Sequence, residues 1–352
     1  MARVTIKEIA RRAGVSKGAV SYALNGQPGV SAATRARVLK IAEELDWVPN
    51  RAARMLSAAR TETFGLVLAR SAQTLSEEPF YMGFVGGLES VLSGRSYALA
   101  LKVVPDVANE LATYRKWAAE KRVDGVILVD LRVDDPRIPL LRALELPAIA
   151  VGDPSLADGL ACVWTNSTAA MSAAVEHLAA LGHRHIARVA GAPDHGHVWI
   201  RDQAFAAVTE RLDLTAQVAH TDFSGDEGAA STRQVLSCAP RPTAIIYDND
   251  LMAVAGLSVL SDLGLRSPDD ITLIAWDDSA LCRITHPKLT AMSHDIVGYG
   301  ALVAERLFDL LEGAEPKAHL YSTPTLQIRE SSGPPTLLAL ATIPESSGPV
   351  TV

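Results

Sequence analysis

Six positions on one short predicted helix suit the reading of a DNA duplex. Lys17 can donate to guanine O6 and N7, Ala19 can touch a thymine methyl, and Gly18 has no side chain, which lets the backbone approach closely. Ser21, Tyr22 and Asn25 continue this small, polar surface. Thr5, Ser16, Ser31 and Thr34 add hydroxyls suited to phosphate oxygens, contacts that fix register without reading sequence. A second set stands far along the chain: Arg201, Asn249 within Asp248-Asn249-Asp250, and Asp277 within Asp277-Asp278. A guanidinium, an amide and a carboxylate together can match the donors and acceptors of vicinal hydroxyls, which suits a sugar. Phe80, Trp164, Trp199 and Trp276 lie near the same predicted strand ends, where an aromatic face can stack on a pyranose ring.

The first set needs three short helices. Thr5 and Glu8 have capping-box spacing and predict a helix from Ile6, with Ile6, Ile9 and Ala10 on its apolar face. Gly14 suits a left-handed end, and Ser16 is placed to cap a second helix after a tight turn. A third helix follows Ser31, with Val38, Ile41, Ala42 and Leu45 at core spacing around Val15, Val20 and Leu24. Such a unit can also be a plain bundle or a protein-binding module, and charge separates the readings. Residues 1–60 hold 11 Lys or Arg against 4 Asp or Glu, a net +7, while the whole chain is −7 and the remainder therefore −14. A basic head on an acidic body is the electrostatic footprint of DNA binding, because Lys and Arg release phosphate counterions.

The second set needs strand ends. Phe64–Leu68, Tyr97–Leu101, Gly125–Val129, Pro147–Val151, His185–Ala190, Val218–His220, Ala244–Tyr247 and Ile271–Ala275 read as strands separated by segments of helical spacing. That alternation predicts parallel sheets covered on both faces, here two doubly wound halves with a cleft at the strands' carboxyl ends. The 352 residues suffice for two or three domains, and no apolar run reaches the length of a membrane span. The chain starts on a capped helix pair in place of a leader peptide, so a cytoplasmic location is expected. Cys162, Cys238 and Cys282 lack any CxxC spacing and read as small buried apolar residues without a disulfide or zinc. His183-Arg184-His185 and Asp194-His195-Gly196-His197 do not complete a metal ligand set, and no GxSxG, phosphate loop or HExxH occurs. Neither a cofactor nor an enzyme activity is expected.

Val4-Thr5-Ile6-Lys7-Glu8-Ile9-Ala10, Ala13-Gly14-Val15-Ser16, Val20-Ser21, Leu24-Asn25, Val30-Ser31, Thr34-Arg35 and Pro49-Asn50 resemble the head of the lactose/galactose repressor family of bacterial transcription regulators. The resemblance implies a helix-turn-helix head over residues 1–46, whose second helix enters the major groove with Lys17 and Gly18 foremost. Residues 47–60 would be a hinge, a segment too short to be a stable helix alone. Asn50, Arg51 and Arg54 would lie along the DNA there, and Leu56 would wedge the minor groove. A periplasmic-binding-protein-like body would cover residues 61–332, with the first half about 61–163 and 294–322 and the second about 164–293 and 323–332. Arg201-Asp202-Gln203-Ala204-Phe205, Asn249-Asp250 and Ala275-Trp276-Asp277-Asp278 resemble the family's effector-pocket motifs, and Glu78-Pro79-Phe80-Tyr81 its pocket mouth, with Glu78 in place of an asparagine. Double-stranded operator DNA, a small-molecule effector, a sugar or alternatively a purine or nucleoside, and a second copy of the chain are the implied partners. The rival classes, an exported solute-binding protein and an enzyme fused to a DNA-binding head, lack a leader and a catalytic set respectively. Residues 333–352 are expected to form a disordered tail.

Overall fold

A computed structural model describes residues 4–24, 26–47 and 60–336. The chain divides into two compact units, residues 1–60 and 61–352. The expected contacts Asn25, Asn50, Arg51, Arg54 and Leu56 lie outside the described residues, as do residues 337–352.

In the first unit α1 spans Ile6–Ala13, α2 Lys17–Leu24 and α3 Ala32–Glu44. Gly14 ends α1 at φ 63° and donates its N–H to the Ala10 carbonyl. Ser16 Oγ accepts the Ala19 N–H at 3.1 Å and Ser31 Oγ accepts the Thr34 N–H at 3.3 Å, so both predicted serine caps form. The capping box does not. Thr5 makes no side-chain cap bond, and Glu8 instead pairs with Arg11 and Arg12 at 2.6 and 3.2 Å. Two guanidiniums one turn ahead offer charge-assisted bonds that a single backbone N–H cannot match. Ile9, Val20 and Val38 are fully buried at the centre, and Val15, Leu24, Ile41 and Leu45 pack around them half-buried.

The second unit opens with β1 (Thr63–Ala69), α4 (Ala72–Glu77) and α5 (Pro79–Leu92). Then come β2 (Ala98–Val104), α6 (Val107–Ala119), β3 (Gly125–Leu128), α7 (Arg137–Ala143), β4 (Ala148–Val151) and β5 (Ala161–Thr165). A second run comprises α8 (Ser167–Leu181), β6 (His185–Ala190), α9 (Gly196–Arg211), β7 (Thr215–His220), α10 (Gly225–Ser237) and β8 (Ala244–Tyr247). It ends with α11 (Asp250–Asp262), β9 (Thr272–Trp276), α12 (Ala280–Ile284) and β10 (Thr290–Ser293), before α13 (Ile296–Leu311), β11 (Ala318–Ser322) and β12 (Thr325–Gln327).

Two six-stranded sheets result, in the orders β11-β5-β4-β3-β1-β2 and β12-β10-β9-β8-β6-β7. The first is parallel throughout, whereas β12 runs antiparallel to β10. Only two residues separate β11 from β12, so the chain enters the second sheet from the cleft side without the long crossover that a parallel strand needs. The chain passes between sheets three times: after β5, after β10 and after β11. Each sheet buries both faces. Ile245 and Leu273 serve one core cluster and Ile246 and Ile274 another, while Phe64 and Ile127 are divided in the same way from Val67 and Val126. Full burial of one such side chain is worth about 1.5–3 kcal/mol, which makes these alternating strands the dominant local determinant of the frame. α13 lies tightly against α5 because Gly87 and Gly300 leave out side chains; a Cβ on either would fall 2.0 Å from the Val297 carbonyl oxygen or 2.2 Å from that of Phe84.

Besides the capping box, three further readings of the sequence need revision. β5, β10 and β11 were not among the expected strands. Cys238 is exposed, in contrast to the buried Cys162 and Cys282. Gly333, expected in the tail, is anchored: its N–H reaches Thr272 Oγ1 at 3.1 Å and its carbonyl accepts from His183 Nε2 at 2.9 Å. No helix among the described residues is long and apolar enough to cross a membrane.

Candidate functional site

On the first unit, Ser16 and Ser31 sit at helix starts, and α2 presents Lys17, Gly18 and Tyr22 to solvent with Ala19 and Ser21 half-buried. Lys17 makes no ion pair among the described residues, which leaves its ammonium available to an acceptor outside the chain. Thr5 is exposed, and Thr34 Oγ1 accepts a bond of 2.9 Å from Ser31 Oγ, so this pair forms one small hydroxyl cluster. Tyr22 is 47% exposed. Lysine, hydroxyls and an exposed aromatic on one helix-turn-helix surface make an arrangement for phosphates and base edges.

In the second unit the carboxyl ends of both sheets surround a cavity of about 110 Å³. Arg70, after β1, donates from Nε to Asp130 Oδ2 at 3.1 Å and to the Tyr81 hydroxyl at 3.1 Å, and Tyr81 donates to the same Asp130 oxygen at 2.7 Å. Burial opposes ionisation of Asp130, yet the Arg70 guanidinium holds it well below the usual carboxylate range. Arg70 also lies 4.9 Å above the ring of Phe223, which is held in left-handed backbone geometry at φ 74°. Glu78 precedes α5; burial pushes its carboxyl up to about 7, against the pull of Arg70.

From the other half, Arg201 on α9 stacks on Trp276 at 3.9 Å and donates to the Asp248 carbonyl at 3.2 Å. The Asp248 carboxylate is gripped from below by Arg188, at 3.0 and 2.7 Å, and accepts the Gly191 N–H at 3.0 Å. Burial opposes its charge, while Arg188 and then Arg201 keep its pKa low. Asp277 follows β9 at φ 76°; burial pushes it up to about 8, partly offset by Arg201 and reinforced by Asp250, Glu78 and Asp248.

Of the residues expected at this cleft, Phe80, Arg201 and Asp277 line the cavity together. Asn249 does not: its amide caps α11 through the Met252 N–H at 2.8 Å and donates to the Phe223 carbonyl at 3.0 Å, so it holds Phe223 in place. Trp276 is buried beneath Arg201, and Trp164 lies in β5 opposite Leu320, packed on the first half's core. Tyr81, from the pocket-mouth motif, and His197 join the lining, as do Arg70 and Asp130, which did not stand out in the sequence; their position just past strand ends was the available signal. Among the described residues no group of His, Cys, Asp and Glu could hold a metal ion.

The halves also meet beside the cavity. The Gly196 N–H donates to the Leu131 carbonyl at 2.6 Å, and Arg132 pairs with Asp194. A Cβ on Gly196 would stand 2.3 Å from Leu156 Cδ1 and 2.9 Å from the Leu131 carbonyl oxygen. Gly196→Ala is therefore expected to force these loops apart, lowering the thermal midpoint by a few degrees, in line with about 1–3 kcal/mol for overpacking. An unchanged midpoint would show that the loops yield freely.

The raised pKa of Asp277 gives a second expected result. In the unfolded chain this carboxyl ionises near pH 4, so between about pH 4 and 8 its ionisation favours unfolding, and the penalty is complete above about 8. Asp277→Asn should melt higher than the parent at pH 8.5 and level with it at pH 4. A difference that stays constant across that range of melting curves would contradict the burial argument.

Residues 5–50 match the lacI family of bacterial regulatory proteins, and residues 175–332 match the periplasmic binding protein-like domain. The HTH-type transcriptional regulator CelR of Thermobifida fusca is 34% identical over 337 residues, covering 94% of this chain and 98% of CelR. Among solved structures, a transcriptional regulator CelR–cellobiose complex matches with TM-score 0.72 and 32% identity over 94% of this chain and all of that one. The lac repressor dimer bound to operator and the anti-inducer ONPF matches with TM-score 0.82 and 25% identity, again over 94% of this chain and all of that one.

Proposed function

The chain belongs to the lacI family of bacterial regulatory proteins, and on that premise we propose that it is a homodimeric repressor whose operator affinity is set by a sugar bound in the cleft. As a member it is a DNA-binding transcriptional regulator and not an enzyme. The observation that carries the ligand reading is the meeting of Arg201 and Asp277 from one half with Glu78 and Phe80 from the other around a single cavity. Such a site gains from closure only when a ligand bridges the halves, and a polyol with hydroxyls on several faces does so. The complex of a relative with cellobiose supports a sugar, and the lac repressor dimer on its operator supports two heads on a near-palindromic site. Exposed Met82 on α5 and Leu101 and Val103 on the edge strand β2 give the first half apolar surface for a second copy.

On the DNA side, Lys17, Gly18 and Ala19 face base edges, and Thr5, Ser16, Ser21, Ser31 and Thr34 position the head on phosphates. The test is operator binding by fluorescence anisotropy on a fragment from beside the protein's own gene, with and without mono- and disaccharides. A tenfold change with one sugar, about 1.4 kcal/mol of coupling, is expected. DNA binding that responds to a nucleobase and to no sugar would replace the sugar reading.

A further inference from the structure

The charge inventory of the cavity narrows the ligand class. Five carboxyl side chains line it against two guanidiniums, and no lysine does. Both guanidiniums are partly committed. Arg70 is paired with Asp130 at 3.1 Å and stacked on Phe223. Arg201 stands 3.7 Å from a carboxylate oxygen of Asp248, although that carboxylate is already held by Arg188.

Of the helix amino ends around the cleft, which elsewhere attract anions, two carry side-chain caps and two lack or have spent their first N–H. α5 starts with Pro79, which has no N–H to give. The Asn166 side chain caps α8 through the Ala169 N–H at 3.0 Å, and Asn249 caps α11. At α9 the Gly196 N–H is spent on Leu131.

Three polar atoms on residues that line the cavity remain without a hydrogen-bond partner: Arg201 Nε, a donor, Glu78 Oε2, a carboxyl oxygen, and His294 Nδ1, an imidazole nitrogen that donates or accepts with its tautomer. A hydroxyl both donates and accepts, so a set of hydroxyls satisfies all three whatever the state of the carboxyl and the imidazole. A phosphoryl or carboxylate group brings its negative charge into a lining that already holds five carboxyl side chains, of which Asp130 and Asp248 are held ionised by neighbouring arginines.

We infer that this cavity takes an uncharged polyhydroxylated ligand, a neutral sugar, and rejects the phosphorylated and uronic forms of the same sugar. The inference rests on the sugar reading proposed above and adds the charge class to it.

Isothermal titration of the full-length protein tests it with neutral glucose, galactose, mannose, xylose and their disaccharides, the corresponding 6-phosphates of the hexoses, their uronates, and a nucleobase control. One or more neutral sugars should bind, with the matching phosphate or uronate at least about 100-fold weaker. A phosphate or uronate that binds as tightly as its neutral parent, or more tightly, overturns the charge argument while leaving the sugar reading standing. Binding of the nucleobase alone, or of nothing in the panel, overturns the sugar reading and this inference with it.

Discussion

Arg201→Met is expected to yield a folded protein whose affinity for its sugar falls by about 100-fold or more. The guanidinium occupies the point where α9 meets the ends of β8 and β9, with the indole of Trp276 3.9 Å beneath it and an unpartnered Nε. Hydrogen bonds from a charged donor contribute about 1.5–3 kcal/mol each, so losing two removes more than the roughly 2.7 kcal/mol that a 100-fold change represents. The fold should survive because no buried charge is stranded: Asp248 keeps both bonds from Arg188 and the Gly191 N–H. Asp277, whose carboxyl Arg201 pulls downward, simply holds its proton more firmly. Methionine covers the indole in the guanidinium's place. Calorimetric titration of parent and variant decides the matter, and an affinity within about threefold of the parent would remove Arg201 from the site.

The neighbouring Arg188→Met change should act on stability instead. Arg188 and Asp248 are both buried and share a two-pronged contact on the floor of the second half. Truncating the cation leaves Asp248 with one backbone N–H and an arginine 3.7 Å away. Breaking a buried pair from one side costs about 3–5 kcal/mol, because the remaining charge has lost its compensation. At about 2–4 °C per kcal/mol for a body of this size, the thermal midpoint should drop by roughly 10 °C. Adding Asp248→Asn to the same chain removes the buried stranded charge and should restore most of that loss, since Asp202, which also pairs with Arg188, is partly exposed and keeps His220 at 3.0 Å. A single variant that melts within about two degrees of the parent would show that the pair contributes nothing net.

What the sequence determined by itself is what acts over a few residues. Ser16, Ser31 and Gly14 mark helix ends because a cap bonds within three residues of itself, and the apolar runs at β1, β3, β8 and β9 identify strands because burial on both faces admits little else. Local signals failed where local partners compete, as at Glu8, which has two arginines within a turn. They also failed at β11, whose five residues are all exposed or half-buried and whose strand identity comes from pairing with β5. Arg201 and Asp277 could be read from their motifs. The Arg70–Asp130–Tyr81 network could not, since Asp130 stands 60 and 49 residues from its two partners and they meet only when the ends of β1 and β3 and the start of α5 fall on the same side of one sheet. The same holds for Asn249 and Trp276, which sequence alone places in the pocket. Tertiary structure makes one a cap that fixes Phe223 and the other the surface beneath Arg201, because each buried polar or aromatic group settles on the partners that compensate its loss of water.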